Sequence, residues 1–197
     1  MLPSLAYVGG EHITLPLASK NPFTIWRNAK RLEKIIRAQQ VDIVHARSRA
    51  PAWSACIAAK RTGIPLVTTF HGVYGLQPKI KQKYNAVMTK GERVIAISYF
   101  VARHIAEHYQ VEPSRLRIIH RGVDLTLFDP NRIVPQRMVD LVTKWRIPDD
   151  LPIIIMPGRI TRWKGQHVLI EALAKLPHRH FFCLLVGDDM GHLNYRR

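Results

Sequence analysis

Residues 41–72, VDIVHARSRAPAWSACIAAKRTGIPLVTTFHG, hold two short β-rich runs around one helical stretch. In VDIVHA and PLVTTF the apolar residues do not alternate strictly with polar ones, which is the pattern of strands covered on both faces. Between them, PAWSACIAAKRTG reads as a helix with Pro51 in its opening turn and Gly63 at its end. Two such strands joined through a helix make a parallel β-α-β unit, because parallel neighbours need a crossover of this length.

The alternation continues on both sides. Toward the amino end, NPFTIWRNAKRLEKIIRAQQ (21–40) places Ile25, Ala29, Leu32 and Ile36 on one helical face, with Asn21 as cap and Pro22 in the first turn. Before it, HITLPL (12–17) reads as an opening strand. Gly9 and Gly10 precede that strand rather than follow one, so they do not read as a phosphate loop. Toward the carboxyl end, KYNAVMTKG (83–91) predicts a helix closed by Gly91, and RVIAI (93–97) a strand. Ser98 caps a helix in YFVARHIAEHY (99–109), with Val101, Ile105 and His108 on one face, and RLRIIH (115–120) is the next strand. The sum is a doubly wound α/β domain.

The pattern breaks in DLTLFDPNRIVPQRMVDLVTKWRIPDDLP (124–152), which is rich in Pro and Asp and carries one helix near Gln136–Trp145. A second strand-helix-strand series then runs from IIIMPG (153–158) to HFFCLLVGDD (180–189). The expected partition is therefore a first α/β unit over 1–127 and the start of a second over 128–197. Two strands and a helix cannot cover both faces of a sheet, so the second unit reads as incomplete.

Hydrophobic residues make up 47% of the 197 and charged residues 22%, a soluble globular balance that argues against disorder. Thirty Lys and Arg against 14 Asp and Glu leave a formal charge of +16, a field that favours polyanions or anionic lipid surfaces. Cys56 and Cys183 show no pairing pattern and read as core thiols of a reducing compartment. MLPSLAYVGGEH (1–12) lacks the basic start and long apolar run of a signal peptide, and no uncharged apolar run is long enough to span a bilayer. The expectation is a cytoplasmic protein, with peripheral contact at the inner face of the membrane compatible with its charge.

Ligands of open α/β sheets bind outside the carboxyl ends of the strands. Four places qualify: His71-Gly72, Arg121-Gly122, Gly158-Arg159 through Lys164-Gly165, and Gly187-Asp188. In PGRITRWKGQHVLIEALAKL (157–176), Gly158 lets the chain turn, Arg159 offers a planar fork of donors, and Lys164 adds a point charge near a helix start whose free N–H groups favour an anion. A diphosphate matches this arrangement; so does a solvated loop in a very basic chain. His71 could bond a sugar hydroxyl or exchange protons, or be one structural histidine among ten. Gly122 offers backbone N–H groups, with Asp124 as an orienting carboxylate. Arg47 and Arg49 in HARSR (45–49) could hold a phosphate or face water. No Asp-x-Asp, metal-ligand spacing or Gly-x-Ser-x-Gly elbow supports metal or serine-hydrolase chemistry.

Taken in order, residues 41–72, RVIAISYFVARHI (93–105), IIHRGVD (118–124) and 157–176 closely resemble the retaining glycosyltransferases of family four (group 1), whose GT-B fold pairs two facing Rossmann-like domains. The likeness runs from about residue 12 to the end. It implies a partial Rossmann-like acceptor-side domain followed by the start of a nucleotide-sugar-binding domain. By resemblance Arg159 and Lys164 bind the donor diphosphate, and His71, with Gly72 beside it, lies by the transferred sugar as the catalytic candidate. Gly122, Asp124 and Gly158 fall in the cleft. The implied partners are a UDP- or GDP-sugar donor and a glycan or lipid-linked acceptor of the cell envelope, such as lipopolysaccharide, with no metal or other cofactor and no nucleic acid.

Two departures stand out. The family's first strand with its glycine-rich loop is not visible, and the chain ends at GDDMGHLNYRR (187–197) without the family's Glu, seven residues, Glu motif. The chain therefore reads as an internal piece of such an enzyme. Two other readings stay open: an inactive remnant that binds a nucleotide or a partner chain, and a basic nucleic-acid binder, for which no helix-turn-helix, RRM or finger motif is present.

Overall fold

The computed structural model describes residue 5 and residues 7–189, so MGHLNYRR (190–197) lies outside the described residues. The chain divides into two compact units, Met1–Val123 and Asp124–Arg197.

In unit 1, helix α1 (Pro22–Ala38) is capped by Asn21, whose Oδ1 accepts from the amides of Phe23 and Thr24 at 2.9 and 3.3 Å. Strands and helices then alternate: β1 (Val44–Ala46), α2 (Arg49–Thr62), β2 (Leu66–Phe70), α3 (Lys79–Asn85), β3 (Arg93–Ala96), α4 (Tyr99–Tyr109) and β4 (Leu116–Ile118). The strands form one parallel sheet in the order β1-β2-β3-β4, with Ala46 opposite Thr68, Phe70 opposite Ala96 and Ala96 opposite Ile118. This order carries no reversal among the described residues, so the strand ends line up along one common carboxyl edge. Beneath it lies a core that includes Ala52, Phe70, Met88, Val94, Ala96 and Ile105, all fully buried. Small alanines on α2 (Ala52, Ala55, Ala58, Ala59) let the helix approach closely, and Ser54 Oγ ties it to the Ile25 carbonyl of α1 at 3.1 Å.

Three local expectations change. HITLPL forms no strand: residues 11–16 have no regular structure, a turn follows at Leu17 and Ala18, and the Pro16 carbonyl accepts from buried Asn28 Nδ2 at 3.0 Å. Proline has no N–H for a ladder, and among the described residues no strand pairs with the segment. The helix expected over KYNAVMTKG begins earlier, at Lys79, and tightens after Asn85 into a 3-10 turn over Ala86–Thr89. Gly91 is needed for closeness rather than for helix termination. A Cβ there would lie 2.8 Å from the Arg93 carbonyl, 3.0 Å from that of Leu66 and 3.1 Å from the Thr68 amide. The cysteines are half-buried, and burial pushes the Cys56 thiol above its ordinary pKa.

Unit 2 holds α5 (Pro135–Trp145), β5 (Ile153–Pro157), α6 (Gln166–Ala174) and β6 (Phe182–Val186), with β5 and β6 paired in parallel from Ile153 opposite Phe182 to Pro157 opposite Val186. Its only buried described residues are Thr161 and Gln166. Ile153 and Ile155 are 51% and 54% exposed, because a two-stranded sheet with one crossover helix has too few layers to cover both faces.

Candidate functional site

In unit 2 the backbone between β5 and α6 builds a tight cationic loop. The Gly158 amide donates to the Val186 carbonyl at 2.8 Å, extending the ladder one residue past β5, and the Ile160 amide reaches the Asp188 carbonyl at 2.9 Å. Gly158 has φ of 156°, and a Cβ on Gly187 would overlap the Gly158 carbonyl, so two glycines let the strand ends come this close. A 3-10 turn over Arg162–Lys164 leads to Gly165, at φ of 81°, and into α6. Gln166, almost fully buried, donates from Nε2 to the Arg159 carbonyl at 2.9 Å and pins the loop to the helix start.

Arg159 and Lys164 reach the same exposed ring. The Arg159 guanidinium carbon lies 5.3 Å and the Lys164 ammonium 4.5 Å from the centroid of Trp163. Neither has a carboxylate partner among the described residues. The loop thus brings two cations onto one indole, beside the amino end of a nine-residue helix. Sequence reading had no role for Trp163 or Gln166, although an aromatic between Arg162 and Lys164 was a visible signal.

In unit 1 His71 follows the last residue of β2. Arg47, just past β1, directs Nε at His71 Nε2 at 3.3 Å, and Arg121, past β4, brings Nη2 to 2.7 Å from His71 Nδ1. Burial first, then Arg121, Arg47 and His45, holds the His71 pKa below the ordinary histidine value, so the ring is neutral at neutral pH. His45 Nε2 lies 2.7 Å from Thr69 Oγ1. A Cβ at Gly72 or Gly122 would meet nothing within 4 Å, and neither glycine takes a left-handed φ. Both leave open space rather than enabling a turn.

The two HARSR arginines part company. Arg49 turns inward, with Nη1 bonded to buried Asn85 Oδ1 at 3.0 Å and its guanidinium 4.5 Å from the Tyr74 ring centroid, a packing role. Arg47 faces His71. At the head of unit 2, Asp124 Oδ1 accepts from the Thr126 hydroxyl (2.7 Å) and the amides of Thr126 (2.9 Å) and Leu127 (3.2 Å). Those bonds, the Thr126 hydroxyl foremost, hold its carboxyl below the usual range and give Asp124 a local turn-forming role.

The family model described as Glycosyltransferase Family 4 matches residues 4–127, more than half of the chain. The chain belongs to glycosyltransferase family 4. A second model, Glycosyl transferases group 1, matches residues 140–196 of this family 4 chain. A glycosyltransferase from Rickettsia africae superposes with a TM-score of 0.83 at 45% identity, over 99% of this chain and 52% of the Rickettsia one. D-inositol 3-phosphate glycosyltransferase 1 of Catenulispora acidiphila is 28% identical over 170 residues, which are 77% of this chain and 40% of that protein. Anabaena HepE, solved with UDP-glucose, shares the fold at a TM-score of 0.72 and 21% identity, over 85% of this chain and 45% of its own. The family 4 chain thus spans about half or less of the length of these relatives, and its parallel α/β units are those of the GT-B fold.

Proposed function

We propose that the chain is part of a transferase that moves a sugar, with retention, from a UDP- or GDP-sugar to a glycan or lipid-linked acceptor of the cell envelope. The observation that carries this reading is the convergence of Arg159 and Lys164 on Trp163 beside the start of α6. Two cations without carboxylate partners among the described residues, at the positive end of a helix dipole, match two adjacent phosphates. In this reading Arg159 offers a fork to one phosphate and Lys164 a point charge to the next. Both offset the charge that builds on the departing nucleoside diphosphate as the glycosidic bond breaks. The acceptor hydroxyl attacks the same face of the sugar, and His71 is the proposed hydrogen-bonding group for that step. Among the relatives, Anabaena HepE is solved with UDP-glucose, which agrees with a UDP-sugar donor, and the Catenulispora enzyme is named for D-inositol 3-phosphate, which is neither a glycan nor a lipid.

Peripheral membrane contact belongs to the same proposal. On α1, Phe23 and Trp26 are 64% and 41% exposed and stack with centroids 6.3 Å apart. Arg27 and Lys30 sit over their rings at 5.8 and 3.8 Å. An aromatic pair ringed by cations suits an anionic lipid surface, and no described helix is long and apolar enough to cross a membrane.

Calorimetric titration of UDP and GDP into the chain and its Arg159→Ala and Lys164→Ala variants tests the donor site. A second reading, a non-catalytic module that needs a partner chain, draws on the bare strands of unit 2, with Ile153 and Ile155 about half exposed. Transfer restored by adding a separately produced carboxyl-terminal half of the Rickettsia relative would favour the enzyme. Nucleotide binding with no transfer would favour the module.

A further inference from the structure

Outside the loop of unit 2, the carboxyl edge of the four-stranded sheet carries a second cationic cluster whose hydrogen bonds do not close. A neutral imidazole has one lone-pair nitrogen and one N–H. Arg47 Nε nevertheless points at Nε2 of His71 at 3.3 Å, and Arg121 Nη2 stands 2.7 Å from Nδ1. Whichever tautomer His71 adopts, one guanidinium meets an N–H instead of a lone pair. The two arginines come from opposite sides of β2, one past β1 and the other past β4, so the sheet itself brings them together. Neither has a carboxylate partner among the described residues. Two like charges held on one neutral ring, with open space over Gly72 and Gly122, are an arrangement that an anion completes.

We propose that Arg47 and Arg121, spaced by His71, bind a phosphate monoester carried by the acceptor. A monoester is close to a dianion at neutral pH and so matches the two cations in charge. Its three terminal oxygens can take N–H donors from both guanidinium forks at once, which a single neutral imidazole cannot do. The inference rests on the proposed transferase function only in calling the phosphate's bearer an acceptor; the anion site follows from unit 1 alone. The phosphate could sit on a soluble polyol or sugar, or on a lipid headgroup.

The test titrates glycerol 3-phosphate into the chain by calorimetry. In parallel it sediments the chain with phosphatidylcholine vesicles, with and without phosphatidic acid. No nucleotide is present, so a failure here and a failure of UDP binding are separate results. Arg47→Ala and Arg121→Ala should each weaken monoester binding about tenfold, the low end for a charge-assisted hydrogen bond at an exposed site. The double variant should weaken it further, and Lys34→Ala, at an exposed lysine of α1, should leave it unchanged. Where alanine disturbs folding by circular dichroism, Arg47→Gln and Arg121→Gln replace it, keeping hydrogen-bonding capacity without charge. Losses seen with glycerol 3-phosphate assign a soluble acceptor, and losses confined to phosphatidic acid vesicles assign a lipid one. The proposal is overturned if wild type binds neither probe or if the arginine variants bind as wild type does. An equal loss in Lys34→Ala would also overturn it, since attraction would then come from the general +16 charge.

Discussion

Removing the guanidinium of Arg159 is the sharpest probe of the donor loop, and the structure sets the size of the effect. A hydrogen bond between a charged side chain and a phosphate contributes about 1.5 to 3 kcal/mol. In the free protein the Arg159 guanidinium already rests 5.3 Å from the Trp163 centroid, an exposed cation–π contact of about 0.5 to 1 kcal/mol that is partly given up when a phosphate takes the fork. The net loss in Arg159→Ala is therefore about 1 to 2 kcal/mol, or about 5- to 30-fold in the Kd for UDP or GDP. Lys164→Ala, with its ammonium 4.5 Å from the same ring, should fall in the same range. Lys34→Ala on α1, far along the sequence and in the other unit, controls for the general field of the chain. Unchanged affinity in both loop variants, or an equal loss in Lys34→Ala, would refute the assignment of a diphosphate to this loop.

Three further outcomes are expected. Gly91→Ala should destabilise unit 1 by about 1 to 3 kcal/mol and lower the thermal midpoint, since its Cβ would meet three backbone atoms at 2.8 to 3.1 Å; an unchanged midpoint would show that β3 can shift. His45, His71 and His104 all have pKa values lowered chiefly by burial. Below the ordinary histidine value of about 6.5 the unfolded chain takes up protons that the folded chain resists. Stability should therefore hold above that pH and fall as pH drops through it toward the lowered folded values, and a thermal midpoint equal at pH 7.5 and 5.5 would contradict this. Replacing Phe23 and Trp26 together by Ser should cut partitioning onto phosphatidylserine vesicles about tenfold or more, given about 1.5 to 3 kcal/mol for each large apolar side chain buried. Equal sedimentation of wild type and variant would remove α1 from the membrane contact.

Much of unit 1 was legible because its signals are local. Asn21 caps α1 through its own side chain, Ser98 Oγ accepts from the Val101 amide at 3.2 Å, and Gly63 ends α2 at φ of 74°. Each depends on residues a few positions apart. HITLPL misled for the opposite reason: a strand exists only if another pairs with it, and apolar residues around Pro16 say nothing of a partner. In the candidate sites, Arg159 and Lys164 were readable from a strand end and a helix start, whereas Trp163, on which both rest, was not. Arg47 and Arg49 looked equivalent in HARSR, yet one packs against Tyr74 and the other reaches His71.

By itself the sequence determined the order of strands and helices from α1 onward, the placement of cations at strand ends, and membership of glycosyltransferase family 4. Those properties follow from period, caps and motif spacing, which act along the chain. Only the tertiary structure decided that residues 47, 71 and 121, distant along the chain, meet at one imidazole, and that two loop cations share one indole. Such convergence depends on strand register and on how closely glycines let backbones approach, and both are fixed by packing across the sheet rather than along it.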